Sequence, residues 1–151
     1  MKKIALILGL SFVCFGAQAA ADWRVVTTGT NPETKEEIAV LTIDKDSIKE
    51  AKGIREAWTM WNFKNPRKNE GSTDLPEFKS YKNLTEYNCK EKTMRLTKEI
   101  LYVENDATGK QLDHSEALKD SKFLAPTKDS LAEKIMDNFV CSEKIANKKT
   151  K

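Results

Sequence analysis

Two cysteines limit the folds open to this chain, because one follows a strand-like stretch and the other follows a helical pattern. Cys89 closes the alternating segment KSYKNLTEYNC, and Cys141 closes the segment DSLAEKIMDNFVC. In an oxidising compartment, two isolated cysteines most often pair with each other. If the chain is exported, the pattern therefore predicts a Cys89–Cys141 disulfide that pins a C-terminal helix to a strand.

The N-terminal segment predicts export. A short basic start precedes the apolar run IALILGLSFVCF, which is too short to span a membrane, and the small-residue cleavage patterns AQA and AAA follow it. These features are typical of a bacterial secretory signal peptide and not of a transmembrane helix. We expect the signal peptide to cover residues 1–21, with cleavage after Ala19 or Ala21.

The cysteines have weaker alternative interpretations. Cys14 would be a lipid-attachment site in a lipoprotein signal, but Val13 directly before it is bulkier than such sites prefer. A metal site at Cys89 or Cys141 would have only His114, the single histidine, and scattered carboxylates to recruit. A thiol nucleophile would need a basic partner, and His114 lies in a polar loop sequence. The disulfide remains the favoured interpretation.

The mature chain reads as one domain with a nearly even charge. Its length of about 130 residues allows it to bury about two-thirds of its unfolded surface. We expect the domain to cover residues 22–141, followed by a basic tail at 142–151. Without Lys2 and Lys3, the 26 basic side chains become 24 against 23 acidic ones, a net charge of +1. This balance gives no general argument for nucleic-acid or membrane binding.

Five segments have the alternation and the aromatic or β-branched content of strands. In chain order they are DWRVVTTG, EIAVLTID, IREAWTMWNF, KSYKNLTEYNC and TMRLTKEILYVEN. The stretch DKDSIKEAKG is predicted as a turn or one helical turn, and residues 64–78 as a long loop. In the fifth segment, simple alternation places Met94, Leu96, Ile100 and Tyr102 on one face.

The apolar period changes near the C-terminus. Ser130 and Glu133 form a capping-box pattern at the start of a helix. The residues at helical spacing that follow are Leu131, Ile135, Met136, Phe139 and Val140. The sequence therefore predicts an α+β fold: an antiparallel five- to six-stranded sheet with a C-terminal helix packed on it and one disulfide.

The chain carries little that resembles catalytic chemistry. It has no glycine-rich phosphate loop, no C-x-x-C pattern and no H-E-x-x-H pattern. Asp113, His114 and Ser115 are adjacent, whereas a catalytic triad needs groups that converge from separate elements. Asp44 and Asp46 lack the glycine and the distal glutamate of a calcium loop. We therefore predict a protein that is not an enzyme and that needs neither a cofactor nor a metal.

The candidate binding residues are one tryptophan and five basic side chains around the predicted loop. They are Trp61, Lys64, Arg67, Lys68, Lys79 and Lys82. A loop that folds back would gather them into one patch, which would suit an acidic protein or another polyanion. The alternative is an ordinary solvated loop. Trp23 and Trp58 are assigned to the core.

The order of several residues resembles the surface-adhesin protein E-like family of Gram-negative bacteria. The matching set is Trp23, IDKDSI, Trp58, Ser80, Leu84, Glu86, Tyr87, Cys89, Arg95, Tyr102, Gly109, Pro126, Ser130 and Cys141. The resemblance implies an antiparallel sheet whose C-terminal helix is joined to it by a disulfide. The chain departs from the family at Asn88, at Phe123 and in the longer segment PTKDS.

The resemblance also implies a function, an exported surface adhesin that binds host extracellular-matrix or serum proteins. The implied partner is a protein, with a homodimer as a further possibility and with no role for nucleic acid or a membrane span. The alternative is a soluble periplasmic module that binds or inhibits another envelope protein. The expected location is accordingly the periplasm or the cell surface at the outer membrane.

Overall fold

Six antiparallel strands, each paired with its neighbours in sequence, form a single sheet in the computed structural model, which describes residues 21–142. The strands are β1 (Trp23–Thr30), β2 (Glu37–Ala51), β3 (Ile54–Lys68), β4 (Glu77–Asn88), β5 (Thr93–Tyr102) and β6 (Gln111–Asp113). A 3₁₀ helix (Ser115–Leu118) follows them, and α1 (Leu131–Ile135) and a π-helical turn (Met136–Val140) complete the described part of the chain. The predicted α+β architecture is confirmed. The expected signal peptide and basic tail lie almost wholly outside the described residues.

The C-terminal helical segment packs on one face of the sheet, which we call the helix face. Ser130 begins α1 by accepting a hydrogen bond from the Glu133 backbone N–H at 3.2 Å. The Glu133 carboxylate accepts from the Asp129 amide at 2.7 Å. The core between the sheet and this segment consists of Leu41, Ile43, Ala57, Tyr87, Ile135, Met136 and Val140. The predicted apolar stripe therefore lies on the sheet, as its period indicated.

A disulfide joins the end of β4 to the end of the helical segment. Cys89 and Cys141 are bonded, with their Cα atoms 5.6 Å apart. The pairing predicted from the cysteine count is confirmed. Arg55 of β3 adds a second link, because its Nη1 donates to the Val140 carbonyl oxygen at 2.6 Å while its Nε pairs with Glu50 at 2.9 Å. A cation is favourable at this end of a helix, where carbonyl groups lack partners.

Replacing Arg55 with methionine should lower the free energy of unfolding by about 1.5–3 kcal/mol, the usual contribution of a hydrogen bond from a charged donor. The loss arises because Val140 is fully buried and water cannot replace the missing donor at its carbonyl. Urea denaturation measures the change. Arg24→Met is the matched control, because Arg24 is exposed and its pair with Asp22 should contribute less than about 1 kcal/mol. Equal midpoints for the two variants would contradict the assignment.

Two segments predicted as loops are largely strand. β2 continues through DKDSIKEA to Ala51, with a bulge between the pairs Asp44–Trp58 and Lys49–Glu56. Within this bulge, Ser47 Oγ accepts from the Trp58 amide at 2.9 Å and donates to a carbonyl of β2. The side chain thus replaces a missing bond of the ladder, which lets a polar stretch stay extended.

The predicted long loop is likewise shorter. β3 runs on to Lys68 and β4 begins at Glu77, so the connection covers only residues 69–76. Asn69 closes this loop, since its amide donates to the Pro76 carbonyl at 2.8 Å and its side chain donates to the Leu75 carbonyl at 3.0 Å. Leu75 is almost completely buried. The segment is therefore an ordered turn.

The prediction that four residues of β5 share a face is wrong. The register shifts between the pairs Leu84–Lys98 and Thr85–Leu96, which leaves Thr97 in a bulge. A bulge changes the phase of alternation along its strand. Met94 and Leu96 therefore lie on the helix face, whereas Ile100 and Tyr102 lie on the opposite face, which we call the open face.

Candidate binding surfaces

The structure divides the six predicted binding residues between the two faces of the sheet. Trp61 pairs across the ladder with Tyr81, and Lys82 pairs with Met60, so Trp61 and Lys82 point to opposite faces. The other four lie at the end of β3 and the start of β4 and are Lys64, Arg67, Lys68 and Lys79. The strand ends, and not the loop between them, carry these four residues.

Four aromatic rings form a cluster at this end of the helix face. Trp61 stacks on Phe63 with ring centroids 5.9 Å apart and planes 7° apart. Phe78 and Tyr81 each lie 6.0 Å or less from Phe63. The guanidinium carbon of Arg67 lies 4.9 Å from the Phe63 ring centroid, in cation–π geometry. Trp61, Phe78 and Tyr81 remain partly exposed.

The neighbouring basic side chains differ in whether they form ion pairs. Lys64 forms an ion pair with Glu36, and Lys79 pairs with Glu104 at 3.2 Å. Arg67 and Lys68 are exposed, and neither forms an ion pair with any side chain among residues 21–142. An open cavity of about 580 Å³ lies beside Lys68 and Lys79, with Pro66, Pro76 and Val103 among its lining residues.

We call this region the basic-aromatic end. It consists of Trp61, Phe63, Lys64, Arg67, Lys68, Phe78, Lys79 and Tyr81. It combines partly exposed rings, two cations without a carboxylate partner and an open cavity. Such a surface can bind a protein but offers no nucleophile or base aimed at a common point.

Burial controls the ionisation of the tyrosines. It raises the pKa of Tyr81 to about 12, with Glu99 acting in the same direction and Arg67 in the opposite one. Burial also raises the pKa of Tyr87 to about 12, against a smaller opposing effect of Thr85. For the third tyrosine, Tyr102, burial and Asp113 raise the pKa.

Raising the pH from 10 to 12 should destabilise the fold. An unfolded tyrosine loses its proton near pH 10, while folded Tyr81 and Tyr87 hold theirs to about pH 12. The stability linked to these protons is therefore complete below pH 10 and is lost as the pH approaches 12. Tyrosinate absorbance and circular dichroism, followed together, measure both events. Full ionisation near pH 10 with the fold intact would contradict the expectation.

The adjacent Asp113, His114 and Ser115 do not form a catalytic relay. The Asp113 carboxylate accepts from the Ser115 amide at 2.8 Å, and the Ser115 side chain contributes most to lowering the pKa of Asp113. His114 turns instead to Glu99, with Nδ1 3.5 Å from Oε1. Within residues 21–142, no three His, Cys, Asp or Glu side chains are grouped so that they could hold a metal ion.

Lys82 lies on the open face between two tryptophans. Its Nζ is 4.7 Å from the Trp58 ring centroid and 5.6 Å from that of Trp23. Trp23 and Trp58 both pair with Asp44 across β2, so the three residues form one row on this face. Both rings are partly exposed, and the prediction that they belong to the core is wrong.

Comparison with known proteins identifies the family. The family model described as surface-adhesin protein E matches residues 23–142. The chain belongs to this family. The crystal structure of Haemophilus influenzae protein E in its crystal form II is similar to this adhesin-family chain with a TM-score of 0.51 and 16% identity. The similarity covers 80% of this chain and 98% of that one, and at this identity it shows a shared fold.

A search of curated proteins found no match. No helix in the described part of this surface-adhesin chain is long and apolar enough to cross a membrane. The sequence prediction missed Trp23 and Trp58 as surface residues, because no local signal shows which face of the sheet the helix covers. In β3, Trp58 lies between Ala57 and Thr59, which point to the helix face. Trp58 therefore points to the open face.

Proposed function

We propose that this chain is an exported, non-enzymatic surface adhesin that binds a host extracellular-matrix or serum protein through the basic-aromatic end. The observation that carries the proposal is the aromatic cluster, in which Arg67 lies over the buried Phe63 ring while Trp61, Phe78 and Tyr81 remain partly exposed. Aromatic and arginine side chains dominate the binding energy of protein interfaces, especially when they are held in place before binding. Trp61 and Phe63 are held in this way by their mutual stacking.

The charges of this end indicate the kind of ligand surface. Arg67 and Lys68 carry positive charge that no side chain among the described residues neutralises by an ion pair. An acidic patch on the ligand would form ion pairs with these cations and would increase the association rate. The cavity beside Lys68 has apolar walls from two prolines and Val103, which an apolar side chain of the ligand can fill.

Replacing both Arg67 and Lys68 with alanine should weaken binding by at least about tenfold, since each residue of such a cluster contributes on the order of 1–2 kcal/mol. The purified mature chain is tested by surface plasmon resonance on immobilised laminin, fibronectin and collagen, with serum albumin included. The control is Lys119→Ala with Lys128→Ala, two exposed lysines outside the basic-aromatic end. Equal affinity of both double variants for a bound ligand would remove this end from the proposal.

A periplasmic module that binds or inhibits an envelope protein is the second candidate. The residue before Cys14 favours it, because Val13 is bulkier than a lipid-attachment site prefers and a chain without lipid lacks that anchor. In this case the basic-aromatic end would bind a periplasmic protein, and host proteins would give no signal in the binding assay. Protein capture after cross-linking in intact cells separates the two candidates by the compartment of the captured partner.

A further inference from the structure

We propose that the open face carries a second binding site, centred on Lys82, for a linear saccharide with a carboxylate on alternate residues. The site is formed by Trp23, Asp44, Trp58 and Lys82, which belong to four adjacent strands. It is separate from the basic-aromatic end, because Lys82 and Trp61 lie on opposite faces of the sheet. It therefore does not rest on the proposed function.

The first element of the site is the charge of Lys82. Its ammonium lies against the Trp58 and Trp23 rings at 4.7 and 5.6 Å, and no carboxylate among residues 21–142 forms an ion pair with it. The indole faces stabilise the cation through their quadrupoles, but they do not neutralise its charge. The N–H groups of Lys82 that point away from the rings are thus available to an anion.

The second element is a row of two rings with a hydrogen-bond acceptor between them. Trp23, Asp44 and Trp58 are direct cross-strand neighbours on β1, β2 and β3. Asp44 Oδ1 accepts from the Asp46 amide at 3.1 Å, which orients the carboxylate and leaves Oδ2 for a ligand. The negative faces of the indoles attract the C–H groups of a pyranose ring, and Oδ2 can accept from a hydroxyl.

This combination favours a saccharide over an acidic peptide. An acidic peptide would offer Lys82 a carboxylate, but it has no hydroxyl for Asp44 unless its sequence provides one. Successive acidic side chains would also bring like charge towards Asp44. A chain in which acidic and neutral sugars alternate places one carboxylate at Lys82 and a neutral, hydroxyl-bearing ring at Asp44. The C–H faces of its pyranose rings can pack against the two tryptophans.

Nuclear magnetic resonance of the intact mature chain tests the location directly. Hyaluronan hexasaccharide, in which glucuronic acid alternates with a neutral amino sugar, is titrated while the indole N–H signals of the three tryptophans are followed. We expect the Trp23 and Trp58 signals to shift and saturate while that of Trp61, on the other face, stays in place. Absence of saturable shifts at Trp23 and Trp58 would overturn the proposal, and this readout needs no variant to fold.

The same assay tests whether binding requires the carboxylate of the saccharide and the ammonium of Lys82. The carboxyl-reduced hexasaccharide and the variant Lys82→Met should each weaken binding by at least about tenfold, the effect expected for a lost charge-assisted hydrogen bond. Lys82→Arg should retain binding. Lys98→Met, which removes an exposed lysine from β5 on the same face, should have no effect. Equal binding of the reduced and native saccharides, or stronger binding of a glutamate-rich peptide, would overturn the assignment.

The two sites are expected to bind their ligands independently of each other. Alanine at Arg67 and Lys68 should leave saccharide binding unchanged, and Lys82→Met should leave binding of a matrix protein unchanged. Loss of both activities in either variant would contradict the separation of the sites, provided that thermal unfolding shows the variant to be folded.

Discussion

Reduction of the Cys89–Cys141 disulfide is expected to lower the free energy of unfolding by about 4 kcal/mol. The bond closes a loop of 52 positions, and the chain-entropy model assigns this loss to the freedom that the unfolded chain regains. The folded state also becomes less ordered at one end, because the bridge joins β4 to the helical segment. Val140, directly before Cys141, is fully buried, so fraying there would expose core surface.

Urea denaturation with and without a reductant measures this effect. The double variant Cys89→Ala with Cys141→Ala should match the reduced protein, and adding the reductant to that variant should change nothing. Identical midpoints for the oxidised and reduced protein would show that the bridge does not stabilise the fold. A reductant effect in the double variant would assign the change to something other than the bridge.

Replacing Ile43 with alanine should cost about 3–4 kcal/mol, within the range for truncating a fully buried aliphatic side chain. Ile43 of β2 is completely buried and belongs to the cluster that includes Met136 and Val140 of the helical segment. Its truncation would leave a cavity between the sheet and the helix, where the bridge limits how far the two can move together.

Val25→Ala provides the matched control for Ile43→Ala. Val25 of β1 is also an aliphatic strand residue, but 60% of its surface is exposed. Its truncation should change the free energy of unfolding by less than about 0.5 kcal/mol. Chemical denaturation of the two variants gives the comparison. A similar small loss for both would contradict the assignment of Ile43 to the central core.

The fold was predictable where one local signal dominated. The apolar period of residues 131–140 indicated a helix, and the two cysteines of an exported chain indicated the bridge that holds it. The continuation of β2 was not predictable, because DKDSIKEA is rich in turn-forming residues. Its extension depends on Ser47, which bonds to Trp58 of the next strand, and that contact exists only in the folded sheet.

Bulges explain the other errors in the fold. Alternation assigns faces only while the period remains two, and a single extra residue reverses every later assignment on that strand. In β5 the bulge at Thr97 puts Leu96 and Ile100 on opposite faces. Local sequence did not mark it, because the bulge is set by the pairing between β4 and β5.

The candidate surfaces were predictable in part. Composition identifies the basic residues near the end of β3, and two of the predicted residues, Lys68 and Lys79, line one cavity. The sequence groups Lys82 with them, because sequence distance does not reveal the face to which a strand residue points. The sequence assigns Trp23 and Trp58 to the core, because tryptophan is highly buried on average. Their exposure follows from the helix having packed on the other face, which is a tertiary choice.

Exposure on the cell surface is the central claim of the proposed function, and protease treatment of intact cells tests it most directly. Cells that express the full chain are treated with protease, and the mature chain is probed together with a periplasmic marker protein. A surface adhesin predicts that the chain is degraded while the marker survives. Survival of the chain until the outer membrane is permeabilised would contradict the adhesin proposal and would favour the periplasmic module.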